Sequence, residues 1–118
     1  MNSLSLVIPV FEAGPLLGSI LGHVAKLKAT AAESGFELVE TIVVDDGGMP
    51  PVDKTAFGAP GDVEFSVLRN DRNRGKGYSV RRGALAAKGA WVLMSDVDES
   101  APLEQFAELA PHSGVAMV

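Results

Sequence analysis

Trp91-Val92-Leu93-Met94-Ser95-Asp96-Val97-Asp98 is a short apolar run that stops on two carboxylates separated by one residue. Ala90 to Met94 has the length and composition of a buried strand, and Gly89 just ahead of it closes a helical segment. Side chains two apart on an extended chain point to the same side, so Asp96 and Asp98 stand roughly 6–7 Å apart and can converge at the strand's end. Two such anions repel unless a cation lies between them. Hard oxygen ligands favour Mg2+ or Mn2+, and a site with only one or two carboxylates leaves coordination positions for water and phosphate oxygens. Alone, the tripeptide is most simply an acidic turn that ends a strand.

The pattern recurs, and the recurrence decides the fold. Val7-Ile8-Pro9-Val10-Phe11-Glu12, Ile42-Val43-Val44-Asp45-Asp46-Gly47-Gly48 and Arg72-Asn73-Arg74-Gly75-Lys76-Gly77 are polar clusters at three further strand ends or helix starts. Leu4 to Val10 reads as a strand, and Gly14-Pro15 turns the chain into a helix from Leu16 to about Glu33. Leu17, Ile20, Leu21, Val24, Leu27 and Ala31 recur along that helix at helical spacing, and Gly35 stops it. Phe36 to Val44 is a second strand, Gly47 to Gly61 a connection rich in Gly and Pro, and Val63 to Leu68 a third strand. Gly77 to Lys88 is a second helix with Val80, Ala84, Leu85 and Ala87 as its expected apolar face. Leu103 to Leu109 follows Pro102 as a short helix, and Val115 to Val118 begins a fifth strand. Such alternation predicts βαβ units, right-handed crossovers and a mostly parallel α/β sheet, Rossmann-like, with helices on both faces. In open sheets of this kind ligands bind outside the carboxyl ends of the strands, so the four clusters face one crevice.

A chain of 118 residues makes one domain, long enough to bury roughly two-thirds of its unfolded surface. The net charge of −5 argues against a nucleic-acid binder. Arg69, Arg72, Arg74, Lys76, Arg81 and Arg82 nevertheless form one local basic patch, suited to a small polyanion. There is no cysteine, hence no disulfide or thiolate metal site. No signal peptide and no run of some 18 apolar residues is visible, which makes a cytoplasmic-type protein the default expectation. The chain ends inside an apolar strand, as a truncated domain would.

Together the clusters resemble the nucleotide-binding half of family 2 glycosyltransferases, GT-A fold enzymes that include dolichyl-phosphate glucosyl- and mannosyltransferases. Val-Ile-Pro-Val-Phe-Glu corresponds to that family's V-I-P-x-Y/F-N-E, and Val43-Val44-Asp45-Asp46-Gly47-Gly48 to its V-V-D-D-G-S. Arg72-Asn73-Arg74-Gly75-Lys76-Gly77-Tyr78-Ser79-Val80-Arg81-Arg82-Gly83 is similar to the R-N-x-G-K-G-x-A-V-R-x-G run of the polyprenyl-phosphate branch. Asp96-Val97-Asp98 with Ser100-Ala101-Pro102 stands in place of D-A-D-L-S-T-P. Three departures stand out: the usual Asn is missing from Phe11-Glu12-Ala13-Gly14, Gly48 replaces a Ser, and Glu99 takes a commonly apolar position.

The resemblance implies that residues 1–118 are the nucleotide-sugar-binding part of a longer domain whose remainder holds the acceptor site and any catalytic base. It implies Asp98 as the strongest metal ligand, with Asp96 nearer the ribose or sharing an Mg2+ or Mn2+ ion, and Val97 between them at the nucleotide. It places Asp45 at the nucleotide base, with Asp46 holding the turn, and it lines the nucleoside with Pro9, Val10 and Glu12. Arg74, Gly75 and Lys76 would contact the nucleotide, because the start of a helix favours an anion. Arg81 and Arg82 read as a solvated helix face, Trp91 and Phe106 as core, and neither His23 nor His112 has a partner at ligand spacing.

The implied reaction moves a hexose from a nucleotide-diphosphate sugar, UDP-glucose ahead of GDP-mannose, to a lipid-phosphate or sugar acceptor. The implied setting is the cytoplasmic face of a membrane, with peripheral association of the full-length protein. Apolar surface left by truncation would favour self-association. Two rivals share the α/β pattern. A sugar-phosphate nucleotidyltransferase would carry its Gly-rich basic loop after the first strand rather than the third. A receiver-like signalling domain would need an acidic pair after the first strand and a lone Asp after the third, where Pro9-Val10-Phe11-Glu12 and Arg69-Asn70-Asp71-Arg72 stand.

Overall fold

Asn2–Val10 (β1) is a strand of mostly Leu, Val and Ile, buried along nearly its whole length because it lies at the centre of a parallel sheet. The computed structural model describes residues 2–12, 14–57, 63–96 and 116–117. After β1 come a 3-10 turn over Gly14–Ser19 and an α-helix over Ile20–Glu33 (α1). Strand Phe36–Asp45 (β2), a short 3-10 turn over Lys54–Phe57 and strand Glu64–Arg69 (β3) follow. Helix Lys76–Ala86 (α2), strand Trp91–Met94 (β4) and the two-residue strand Ala116–Met117 (β5) complete the order. The expected alternation is therefore present, but the first helix begins as a tighter turn and becomes α-helical only at Ile20. Gly35, at φ +83°, ends α1 as expected, while Ser34 and Gly35 donate back to the carbonyls of Ala31 and Ala32. The helix expected at Leu103 to Leu109 lies outside the described residues.

The strands lie in the order β3-β2-β1-β4-β5 and every neighbouring pair is parallel. The chain steps from β1 outward to β3, then returns to the other side of β1 for β4. The switch point of the sheet is thus between β1 and β4, the place where ligands bind in folds of this class.

Each face has its own apolar layer. On one, Ile20, Val24, Leu27 and Ala31 of α1 pack on Leu4, Leu6, Ile8 and Val43, and the stacked rings of Phe57 and Phe65 extend that core. On the other, Val7, Ile42 and Val44 form a smaller layer beneath α2. Half of the expected apolar face of α2 needs correction: Val80 and Ala87 are half-buried, Ala87 against this layer, but the other two positions are not. Leu85 is 77% exposed and Ala84 is exposed, whereas the buried positions are Ser79 and Gly83. These two are four apart and share a face, and they are small enough to let the helix backbone approach the sheet. A Cβ on Gly83 would lie 2.4 Å from Val7 Cγ1. Close approach, rather than side-chain hydrophobicity, sets the rotation of the helix.

One irregularity in β2 organises the amino-terminal half of the sheet. Leu4 pairs with Leu38 and Ser5 with Glu40, so Val39 is an extra residue and the register shifts there. Leu38 joins the core beneath α1, while the Glu40 carboxylate, 3% exposed, accepts hydrogen bonds from Ser5 Oγ and the Lys88 N–H. Ser5 Oγ in turn accepts from the Gly89 N–H at 2.8 Å, and a Cβ on Gly89 would meet that same oxygen at 2.7 Å. A buried carboxylate thus ties the turn between α2 and β4 to the central strands. Among the described residues no helix is long and apolar enough to cross a membrane.

Gly83→Ala is expected to destabilise the fold by roughly 1–3 kcal/mol, because a tightly packed helix must lift off Val7. Leu85→Ala should stay within about 0.5 kcal/mol of the parent chain. Urea denaturation of the two variants measures both.

Candidate functional site

The carboxyl ends of β1, β2 and β4 and the start of α2 surround a cleft of about 290 Å³. β1 contributes Pro9, Val10 and Phe11, and β2 contributes Asp46. The loop before α2 contributes Asn73 and Gly75, the first turn of α2 Lys76 and Ser79, and the segment just after β4 Asp96. Pro9, Val10, Gly75, Lys76 and Asp96 are therefore brought together as the sequence places them. Val97 and Asp98 lie outside the described residues.

Asp46 is the residue around which the cleft is folded. One of its oxygens accepts from the Asn70 side-chain amide at 2.8 Å and from the Arg74 N–H at 2.7 Å; the other accepts from the Gly75 N–H at 2.9 Å. Asn70 is held in turn by Ser79 Oγ at 2.9 Å and receives the Arg82 guanidinium on its side-chain oxygen. The neighbouring Gly47, at φ +77°, comes so near the opposite loop that a Cβ would lie 2.5 Å from the Arg72 carbonyl carbon. Burial opposes ionisation of Asp46, but hydrogen bonds from the Arg74 N–H, Asn70, the Gly75 N–H and Ser79 outweigh it and hold the pKa below its ordinary 3.8.

The cleft carries opposite charges side by side. Lys76 Nζ, at the first residue of α2, meets the Asp96 carboxylate at 2.8 Å. Gly75 precedes the helix at φ +94° without a side-chain cap, so the first-turn N–H groups add to the positive end of the cleft. The lysine and these amides suit a diphosphate. Asp96 is partly exposed, carries a carboxylate that can exchange its lysine partner, and stands at the mouth of the cleft. This donor fits a hard divalent cation that keeps other positions for phosphate and water. Among the described residues no group of three or more His, Cys, Asp or Glu could hold a metal.

Asp45 and Glu12 face elsewhere. Asp45, 1% exposed, accepts from the Gly48 N–H, the Val52 N–H and Arg69 at 3.1, 2.9 and 2.6 Å. With Glu12, Leu17 and the segment Met49 to Val52 it lines a second hollow of about 320 Å³. Its carboxylate folds the connection after β2. The Arg74 side chain is turned outward, paired with Asp71 at 2.9 Å and lying over the Tyr78 ring, and only its backbone reaches Asp46.

Phe11, Asn73, Ser79 and the cleft-facing role of Asp46 are the contributions that motif reading missed. Strand alternation held a signal for Asp46: it has the parity of Ile42 and Val44, which face α2, whereas Asp45 has the parity of Val43, which faces α1. Glu12 sits at φ +52°, a region that an Asn tolerates better than a Glu. A Cβ on Gly48 would press on the Glu12 N at 2.8 Å. The missing Asn and the missing Ser are thus neighbours in space.

Asp46→Asn should lower stability at pH 7 by roughly 1–3 kcal/mol, since the amide nitrogen cannot accept the hydrogen bond that one carboxylate oxygen takes from the loop N–H groups. Because the folded pKa is depressed, the carboxylate's contribution is complete above the unfolded value of 3.8 and is lost as pH falls through the lower folded value. The gap between variant and parent should therefore close in acid, as urea melts on either side of that range would show. Glu12→Asn should raise stability by a fraction of the ~1–2 kcal/mol associated with a left-handed residue, read as a higher urea midpoint.

The profile of glycosyl transferase family 2 matches residues 5–113. The dolichyl-phosphate beta-glucosyltransferase of Drosophila melanogaster is 32% identical over 110 residues, which cover 90% of this chain and 34% of that protein. The enzyme of the same name from Homo sapiens is 39% identical over 101 residues, covering 82% of this chain and 31% of its own. The chain spans about a third of the length of the curated relatives it matches. Among solved structures, the mannosyltransferase PcManGT of Pyrobaculum calidifontis, in complex with GDP-Man and Mn2+, superposes with a TM-score of 0.63 at 18% identity. That alignment covers 80% of this chain and 27% of the other, and it is a likeness of fold. A profile match running through all four strand-end clusters is more than the chance likeness of one motif: the chain belongs to glycosyl transferase family 2.

Proposed function

We propose that the cleft between β1 and β4 binds the nucleotide-diphosphate sugar from which a hexose is transferred to a polyprenyl or dolichyl phosphate. The observation that carries this reading is the Lys76–Asp96 pair at the uncapped start of α2, where a site for diphosphate adjoins a site for a cation. Pro9, Val10 and Phe11 form an apolar wall for the nucleoside, and Asn73 offers an amide beside it. Asp46 keeps the Arg74–Gly75 backbone in the position from which α2 starts toward the phosphates. Asp96, and Asp98 beyond it, would hold Mg2+ or Mn2+, whose role when bound is to offset charge on the departing diphosphate. Contact of the base with Asp45, as the family resemblance implies, would require the ligand to reach the second hollow; the position of Asp46 makes it the stronger candidate.

A lipid phosphate is already anionic near neutral pH and attacks the anomeric carbon without a general base; a hydroxyl acceptor would need one from outside this chain. The relatives' names carry glucose rather than mannose, which favours UDP-glucose over GDP-mannose as the donor; a dolichyl-phosphate acceptor would bring the full-length protein to a membrane surface. Family membership sets aside the nucleotidyltransferase and receiver readings.

Calorimetric titration of UDP and GDP, each with and without Mn2+, tests the proposal. UDP should bind more tightly with Mn2+, Lys76→Ala should weaken it by about 10- to 100-fold, and Asp96→Asn should remove the benefit of the metal. Absence of nucleotide binding, or metal-dependent affinity untouched by Asp96→Asn, overturns it.

A further inference from the structure

His23 has no partner along its own stretch of sequence, yet in the fold it reaches the end of β4. It lies on α1 three residues after Ile20 and four before Leu27, on the stripe that packs against the sheet. Its Nε2 lies 3.1 Å from Ser95 Oγ, a contact between residues 72 apart in the chain. Ser95 is wholly buried, and its N–H donates to the Val7 carbonyl at 3.0 Å, which carries the β1–β4 pairing one step beyond Met94. Its hydroxyl donates to the Asp96 carbonyl at 3.3 Å.

A hydroxyl has one proton. With that proton given to Asp96, the oxygen receives a hydrogen bond from the ring, so Nε2 carries the imidazole hydrogen. Burial, and after it the charge of Lys26, lowers the His23 pKa, which keeps the ring neutral with a single N–H to place. The path therefore runs from the His23 Nε2–H to Ser95 Oγ and from the Ser95 O–H to the carbonyl of the residue whose carboxylate meets Lys76.

We propose that His23 is a positioning residue: acting through Ser95, it fixes the backbone at the end of β4 and so the direction in which Asp96 enters the cleft. The fold itself does not rest on this link, because the Ser95 N–H and the β1–β4 ladder hold the strand without it. What the link adds is preorganisation of one carboxylate, which matters where a cation and a diphosphate must be met in a set geometry. The metal-related part of the proposal rests on the nucleotide-binding reading above.

Two measurements on the 15N-labelled chain decide it. Without any ligand, long-range 1H–15N spectra should show His23 as the Nε2–H tautomer, and His23→Ala should lower the backbone order parameters at Ser95 and Asp96 while those of β1 and β2 stay unchanged. With UDP, His23→Ala should weaken the Mn2+-dependent affinity by about three- to tenfold and leave the metal-free affinity alone. His23→Gln, whose amide can donate from nearly the same place, should restore most of the loss; Ser95→Ala should reproduce it, with no further loss in the double variant. An Nδ1–H tautomer, unchanged order at Asp96, or equal weakening with and without Mn2+ overturns the proposal. If the parent chain binds no nucleotide, the nucleotide-binding reading falls, and the ligand-free spectra still decide the role of His23.

Discussion

The carboxylate of Asp46 receiving the backbone N–H groups of Arg74 and Gly75 is the interaction on which the cleft depends. It joins the end of one strand to the loop that follows another, and it does so at the point where α2 begins. A loop carrying so many Arg, Lys and Gly residues has little reason to adopt one shape by itself, since its side chains repel and its glycines are permissive. A buried anion that accepts three N–H bonds gives it one. Gly47 then allows the close approach to Arg72, and Gly75 supplies the left-handed φ from which α2 starts. Stability and function meet here, because the amides not used to build the loop remain available to a ligand.

The described parts of the sheet were largely legible in the sequence. Buried parallel strands are largely apolar runs, and Leu4 to Val10, Phe36 to Val44 and Ala90 to Met94 read as such despite Ser5, Glu40 and Thr41, which the fold buries among them. The gathering of polar residues at the strand ends followed from topology. What stayed hidden was whatever depended on small residues or on distance in the chain. Leu85 has the side chain of a core residue and stands in solvent, while Ser79 and Gly83 are buried because a close helix-to-sheet approach needs little bulk. The His23–Ser95 contact spans two elements, with no local signal in either. The division of labour between Asp45 and Asp46 required knowing which face of the sheet α2 occupies.

The two hollows at the carboxyl edge show how a pair of identical neighbours can be given different tasks. Asp45 folds the connection that follows β2 and pairs with Arg69; Asp46 folds the loop before α2. Each is almost wholly enclosed, and each has its charge matched by donors, as a buried carboxylate must. The departures from the family motif at Glu12, which lines the second hollow, and at Gly48 lie together, and removal of one Cβ leaves space for the backbone of the residue that replaces Asn. The cleft that holds Lys76 and Asp96 is left out of that exchange.

The extra residue at Val39 works as a phase shifter for β2. Leu38 and Asp46 are both even-numbered and would share a side of an unbroken strand, yet Leu38 sits beneath α1 and Asp46 points toward α2. A strand anchored by Phe36 and Leu38 but lacking the irregularity would present Asp45 to the start of α2 and turn Asp46 away. Which of two adjacent, chemically identical acids reaches the cleft is therefore set some seven positions upstream, by a residue that touches neither.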